Sequence, residues 1–469
     1  MLRLSPLLFS LTLLLLTGCA TYQPVTPSST ILQVEQLTLG KTLQHHAQIA
    51  PPEQTWWTLY QDEQLNQLLK EAGQGSQIVN SIHHRIELAR EVTNLYQSQR
   101  LPNLSVDASA DRERFTALQF IPPPWAGSTY WNNSIFTTFS YNLDLWKKRK
   151  NQWLASVDEA KAVALDGQEM VIELHSAIIK LYLELTATYQ LKDLSEEELK
   201  DTQEQIAIET QRQQVGMGST AKVNDNEASL PIINNTISAL NLRIQLLKTT
   251  LAALIGQGPG ALDSLKRPTL TLHTNLELPS SLPLHLIANR PDVSAALSRL
   301  HEMQKKIQVA QAAFYPDVNL SAFIGFEAIG FSQLLSRQGA MAGVGPALSL
   351  PLFDGGLRQG QLNLATTEFD LAVDQYNQRV LDALKEISNS LAQLNSMNLQ
   401  QQELKKALYK RQQSLLFAKE SYQAGLTSYQ SVLSNNQNYL TVAKRMVEID
   451  QARLTAYAEL MRALGGGSQ

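Results

Sequence analysis

The chain has 469 residues, a formal net charge of −4, and 43% hydrophobic against 17% charged residues. That length allows two or three domains, and the apolar share is enough for a core. The slightly acidic balance removes charge-driven nucleic-acid binding, and so few charges leave a surface wetted mainly by Gln, Asn, Ser and Thr.

Arg3 precedes an apolar run from Leu7 to Leu16, followed by Leu16-Thr17-Gly18-Cys19, the layout of a secretory signal peptide over residues 1–18. Cys19 is the only cysteine, so a disulfide within the chain is impossible. Beyond the leader there is no apolar run of about eighteen residues, so entry into a membrane requires a closed barrel. Residues 19–55, rich in Thr, Pro, Ser and Gln, predict an extended N-terminal tether. His45-His46 within it lacks partners at ligand spacing and reads as a solvated pair.

Trp56-Trp57 opens a first repeat over 56–256, with Leu59, Leu65, Leu68 and Leu69 at helical spacing. Two adjacent indoles suit an anchor that packs a short helix onto a body. A helix over 77–100 carries Ile78, Ile82, Ile86, Ala89, Val92 and Tyr96, and its His83-His84 point about 100° apart, too divergent to share a metal. After Pro102, residues 103–115 alternate, Leu104, Val106, Ala108 and Ala110 opposing Ser105, Asp107, Ser109, Asp111 and Glu113. The loop 116–133 holds three prolines and the aromatics Trp125, Tyr130 and Trp131. Residues 134–145 alternate again, Ile135, Phe139, Tyr141, Leu143 and Leu145 sharing one side. A helical hairpin over 147–255 follows, turning at Val215–Thr220.

A linker over 257–287 separates a second repeat over 288–464, and residues 465–469 form a tail. The second repeat has a helix from Arg290-Pro291-Asp292 to Pro316, strands over 317–327 and 341–352, and a helical hairpin over 355–464 turning at Ala424–Ser428. Pro102 matches Pro316, Trp146 matches Phe353, Gly216 matches Gly425, and Ala253-Leu254 matches Ala463-Leu464. An offset that stays at roughly 210 residues makes this a tandem duplication.

Strands of this length cross an outer membrane when tilted. Four cannot close a barrel, which takes about eight, so the chains must associate. An outgoing helix of this length is roughly 100 Å long, beyond a bilayer. The return helix repeats Leu440, Ala443, Val447, Asp450, Leu454, Tyr457, Met461 and Leu464, a coiled-coil spacing interrupted only by Asp450.

The chain resembles the TolC-like outer-membrane factors, in their OprM-like lipoprotein branch. The resemblance rests on Leu16-Thr17-Gly18-Cys19, Trp56-Trp57, Arg290-Pro291-Asp292-Val293, Ala312-Ala313-Phe314-Tyr315-Pro316, Gly345-Pro346 through Pro351-Leu352-Phe353-Asp354-Gly355-Gly356, Tyr422-Gln423-Ala424-Gly425, and Ala463 through Gly467, in that order. It implies an α+β membrane protein with four strands per chain in a trimeric, twelve-stranded β-barrel, continued by a periplasmic α-helical barrel. It implies the exit duct of a tripartite efflux system for drugs or other small amphipathic compounds, without catalysis or cofactor. The alternatives are the outer-membrane channel of a type I protein-secretion system and a passive coiled-coil spacer.

The same resemblance implies acylation (palmitate) of Cys19, an outer-membrane location, a homotrimer, a periplasmic adaptor and an inner-membrane transporter as partners. It assigns adaptor contact to Gly216, Met217, Gly218 and Ser219, and to Gly425, Leu426, Thr427 and Ser428. The periplasmic gate falls on Leu433, Ser434 and Asn435, where the family places a Leu-Asp ring, and Asp225 stands at the equivalent place in the first repeat. No HExxH, Gly-rich phosphate loop or Gly-x-Ser-x-Gly elbow occurs, and the sole cysteine belongs to the leader, so an enzymatic reading has no support.

Overall fold

The computed structural model describes residues 23–33, 37–38, 55–118, 121–271 and 290–466. Cys19, His45-His46 and most of the 257–287 linker lie outside them. The chain divides into two compact units that cut across the repeats. One comprises Met1–Ile31, Ile86–Val163 and Ala296–Tyr376; the other comprises Leu32–Arg85, Ala164–Ala295 and Asn377–Gln469.

The elements occur in pairs. α1 is Glu63–Gly75 and α2 is Gln77–Ser98. Strands β1, Asn103–Arg114, and β2, Thr129–Asn142, lead to α3, Lys148–Gln214, and α4, Thr220–Leu254. Next come α5, Pro291–Ala312, β3, Asp317–Ile329, β4, Ala340–Ser349, α6, Leu357–Gln423, and α7, Tyr429–Ala463. Helices α2 and α5 each have 22 residues, α3 and α6 each 67, α4 and α7 each 35. Equal lengths in equal order are the structural form of the duplication. Among the described residues, no helix is long and apolar enough to cross a membrane.

The first unit holds one antiparallel sheet in the order β1-β2-β3-β4. β2 and β3, from different repeats, pair from Asn132↔Ile329 to Asn142↔Asn319. Residues directly opposite in such a ladder share a face, so register decides whether the apolar rows of the four strands meet. They do: Val106 stands opposite Thr137, Thr137 opposite Ile324, and Ile324 opposite Ala342.

Three strand ends differ from the sequence reading. β2 begins at Thr129, because the hairpin ladder continues to Arg114↔Thr129 through Tyr130, Trp131 and Asn132. β2 stops at Asn142 because Asp144 takes φ +44, and its carboxylate accepts hydrogen bonds from the Arg149 and Lys150 N–H groups, each at 2.8 Å. Residues 143–145 therefore belong to a cap for α3. β4 likewise stops short of Pro351. Pro346 sits inside β4, and β4 is an edge strand, the position in a sheet that tolerates a missing N–H. Below the sheet, Trp146 stacks on Tyr315 at 4.6 Å and its indole N–H donates to the Pro316 carbonyl at 2.9 Å.

Residues 23–33 have no regular structure of their own and are tied to α6. The Gln23 N–H donates to the Gln359 side chain at 3.0 Å. The Ser28 and Ser29 N–H groups and the Ser28 hydroxyl all donate to the Asp370 carboxylate, at 2.8–3.1 Å. The Leu32 N–H donates to Asn377 Oδ1 at 2.8 Å. The bonds to Ser29 and Ser28 hold the Asp370 carboxyl below its usual range. Five extended residues and eleven helical ones each span roughly 16 Å, so Gln23–Ser28 and Gln359–Asp370 keep step.

The second unit is helical. Trp56 is buried and meets Trp57, Tyr60 and Tyr457 edge-on, each at 6.1 Å. Asp62 caps α1 by accepting from the Leu65 N–H at 3.0 Å, and it also accepts from the Tyr182 hydroxyl at 2.9 Å. Arg290, 3% exposed, clamps the start of α5 to the end of α7. Its guanidinium donates to the Ala463 carbonyl at 2.7 Å, to Asp292 at 3.0 and 2.9 Å, and to Glu386 at 3.1 Å. Glu169 stands by this cluster, 4.0 Å from Arg462. Burial first, then the charge of Asp292, pushes its carboxyl up to about 7.

Candidate functional site

The sheet has two unlike faces. One carries Leu104, Val106, Ile135, Phe139, Leu320, Ile324, Val344 and Leu348. Several of these are well exposed in the single chain: Leu104 68%, Ile324 65% and Val344 79%. The other face carries Asn103, Ser105, Ser109, Ser134, Thr138, Ser140 and Ser321, with the carboxylates Asp107, Asp111, Glu113, Asp317 and Glu327 and no Lys or Arg. Both outer strands, β1 and β4, have one ladder edge unpaired within the chain. An open edge of this length invites pairing with another strand.

The middle of the polar face has an apolar interruption. Phe136 and Phe323 meet edge-on at 5.7 Å and 84°. Each faces a glycine across the ladder, Phe136↔Gly325 and Phe323↔Gly343. In both strands the phenylalanine breaks the polar phase. That break of phase is visible in the sequence itself.

The two helical turns share one construction. The Gly216 N–H donates to the Gln213 carbonyl at 3.0 Å and the Met217 N–H to the Arg212 carbonyl at 2.8 Å. The Gly425 N–H donates to Tyr422 at 2.9 Å and the Leu426 N–H to Ser421 at 2.8 Å. This Schellman pairing requires a left-handed residue, and Gly216 and Gly425 take φ +77 and +74. The apolar residue after each glycine usually packs back on the helix. Here Met217 is 72% and Leu426 81% exposed. Ser219 caps α4, accepting from the Lys222 N–H at 3.3 Å; Ser428 occupies the same place before α7 without a side-chain cap bond. Gly218 and Thr427 are half-buried.

Just past the second turn, Leu433 is 2% exposed, so its own chain covers its apolar surface. Ser434 is exposed, and Asn435 is half-buried, donating to the Ser431 carbonyl at 2.8 Å. Asp225 is exposed on α4.

A polar seam joins α7 to α3, unseen in the sequence because its partners lie 218 to 246 residues apart. Arg212 donates to Gln430 at 3.0 Å, the Tyr429 hydroxyl to Glu204 at 2.8 Å, and Asn436 to Asp201 at 2.6 Å. Lys444 pairs with Glu198 further along. Burial raises the Asp201 carboxyl, against the pull of the Asn436 bond. Behind the seam, Leu415, Ala418 and Val432 form a small core covered by Tyr429 and Tyr439.

Comparison with known proteins matches this arrangement to a family described as outer membrane efflux protein, over residues 68–257 and 282–466. The fusaric acid resistance protein FusA of Burkholderia cepacia is 33% identical over 356 residues, 75% of this chain and 67% of that protein. The multidrug resistance outer membrane protein MdtP of Escherichia coli K12 is 26% identical over 467 residues, 97% of this chain and 94% of that protein. Among solved structures, the outer membrane protein VceC of Vibrio cholerae superposes with a TM-score of 0.81 at 28% identity, covering 89% of this chain and 100% of that one.

Proposed function

We propose, since this chain belongs to the outer membrane efflux protein family, that three copies close their sheets into a twelve-stranded barrel through which drugs or other small amphipathic compounds leave the cell. The chain has the TolC-like fold, works in efflux at the outer membrane and is a channel, not an enzyme. The observation that carries the trimeric reading is the register. It gathers four apolar rows on one exposed face and leaves two strand edges open. Apolar residues outward and polar residues inward is the pattern of a barrel wall. At four strands a copy, three copies give a lumen wide enough to conduct, whereas two give a barrel filled by side chains.

The remaining assignments follow from this reading. Residues 1–18 are removed and Cys19 is acylated; the ties of Gln23, Ser28 and Ser29 to α6 support a tether over 19–55 held close to the sheet. Residues 56–256 and 288–464 act as the two repeats about the linker 257–287. The turns at Gly216–Ser219 and Gly425–Ser428 meet a periplasmic adaptor, which couples the duct to an inner-membrane transporter; the exposure of Met217 and Leu426 supports contact there. The gate lies at Ser434, Asn435 and Asp225, beside the buried Leu433, and it opens as the α3–α7 seam gives way.

Native mass spectrometry of the detergent-extracted mature protein tests the duct. A trimer carrying three acylated chains is the expected result. A monomer or dimer would overturn the closed barrel.

A further inference from the structure

We propose that the polar face of the sheet carries a transit site for planar aromatic cations, made by Phe136, Phe323 and Met341 between Asp107 and Glu327. The inference rests on the reading that three copies close the sheet with this face toward the lumen.

Phe136 lies directly opposite Asp107 on one side and Gly325 on the other, and Gly325 lies opposite Met341. Phe323 lies between Thr138 and Gly343. Three apolar side chains thus occupy neighbouring positions in the middle of a face made mainly of Ser, Thr, Asn and carboxylates, with Tyr130 and Ile329 toward one end of it. The glycines are spatially required. A Cβ on Gly343 would stand 2.6 Å from the Phe323 ring, and one on Gly325 would meet the Ile135 carbonyl oxygen at 2.1 Å and the Phe136 ring at 2.5 Å. Each ring therefore lies down over the neighbouring strand and does not stand out from the sheet. The product is a low plate, with Phe323 40% and Met341 45% exposed.

Covering a cross-strand glycine with an aromatic ring stabilises a sheet, and that alone would account for one such pair. It does not account for two pairs in edge-on contact, for Met341 beside them, or for the charge around them. Asp107 borders the plate on the β1 side, and Glu327 follows one residue pair beyond on β3, opposite Ser134. No Lys or Arg shares the face. A ring face attracts cations and stacks on planar groups, and a thioether packs on aromatic surfaces. A flat cationic amphipath satisfies all three groups at once, whereas an aliphatic cation uses only the carboxylates. The plate stays partly wet, so contact is brief, which suits passage better than retention.

Single-channel recording in planar bilayers tests this, with ethidium as the planar aromatic cation and tetraethylammonium as the aliphatic one. In the unsubstituted protein ethidium should interrupt the current with dwell times about tenfold longer than tetraethylammonium gives. In the Phe136→Leu, Phe323→Leu double variant the ethidium dwell should shorten about five- to tenfold, with tetraethylammonium unchanged. Equal dwell times for the two cations in the unsubstituted protein overturn the site, whether or not the variant assembles. Equal ethidium dwell times in the protein and an assembled variant overturn it as well. An assembled protein that conducts no ions even when Tyr429→Phe and Asn436→Ala weaken the α3–α7 seam overturns the duct reading, and this site with it.

Discussion

At the residue scale, the buried Arg290 concentrates more of the second unit's electrostatics than any exposed ion pair. Its guanidinium satisfies two carboxylates and the last carbonyl of α7. Removing one partner of a buried cluster strands the others, at a cost of about 3–5 kcal/mol. Arg290→Gln should therefore lower the denaturant midpoint markedly, measured by helix content. Exposed pairs such as Arg90–Glu87 should change it by less than about 1 kcal/mol when broken. Glu169 gives the cluster a pH response. Burial and the Asp292 charge raise its carboxyl to about 7 in the folded chain, above the usual glutamate value of 4.5. Above pH 7 both folded and unfolded chains carry the charge, and the folded one bears the cost of burying it. As pH falls from 7 toward 4.5 the folded chain takes the proton first. Stability should then rise, by up to about 3 kcal/mol. Unfolding midpoints measured across that window should show the rise in the native chain, and Glu169→Gln should remove it.

At the element scale, the turns divide stability from contact. Gly216→Ala with Gly425→Ala forces two side chains into left-handed backbone, costing about 1–2 kcal/mol each. The expected result is faster amide exchange in the last turns of α3 and α6. Met217→Ser with Leu426→Ser removes only exposed apolar surface. It should leave exchange unchanged while weakening cross-linking to the adaptor. The seam makes a different prediction. Tyr429→Phe with Asn436→Ala removes the hydroxyl bond to Glu204 and the amide bond to Asp201. If the gate opens along α3–α7, this variant should raise single-channel conductance several-fold; an unchanged conductance places the gate elsewhere.

Much of this architecture is legible in the sequence, for physical reasons that differ by element. The apolar rows at Leu104–Ala110 and Val318–Phe326 show because a strand with unlike faces has to alternate. The turns show because a left-handed residue at a helix end is nearly always glycine. The start of β2 is hidden, since Thr129–Asn133 is polar or aromatic in both phases and only its partner strand defines it. The seam is hidden because hydrogen-bonded side chains on long helices carry no periodic mark. Leu433 reads as an apolar lining residue in the sequence, whereas in the fold its side chain is covered by its own chain. Burial depends on neighbours that the residue's own segment does not reveal.

At the scale of the whole molecule, the net charge of −4 understates how unevenly charge is distributed. The polar sheet face bears five carboxylates and no cation, so three copies would line the lumen with negative charge alone. A salt gradient across a bilayer should give a reversal potential that favours cations. Neutralising Asp111, Glu113 and Glu327 together should move it toward zero, with assembly checked by native mass.

The strap of residues 23–33 also orders events in time. Ser28 leaves the ribosome among the first residues of the chain, yet its carboxylate partner, Asp370, is made 342 residues later. No part of the strap's bonding exists until α6 has formed, so the opening segment stays unattached throughout synthesis. Contacts across so long a separation are the slowest to close. The earliest-made stretch is therefore fastened among the last, which leaves the N-terminal segment accessible until α6 is in place.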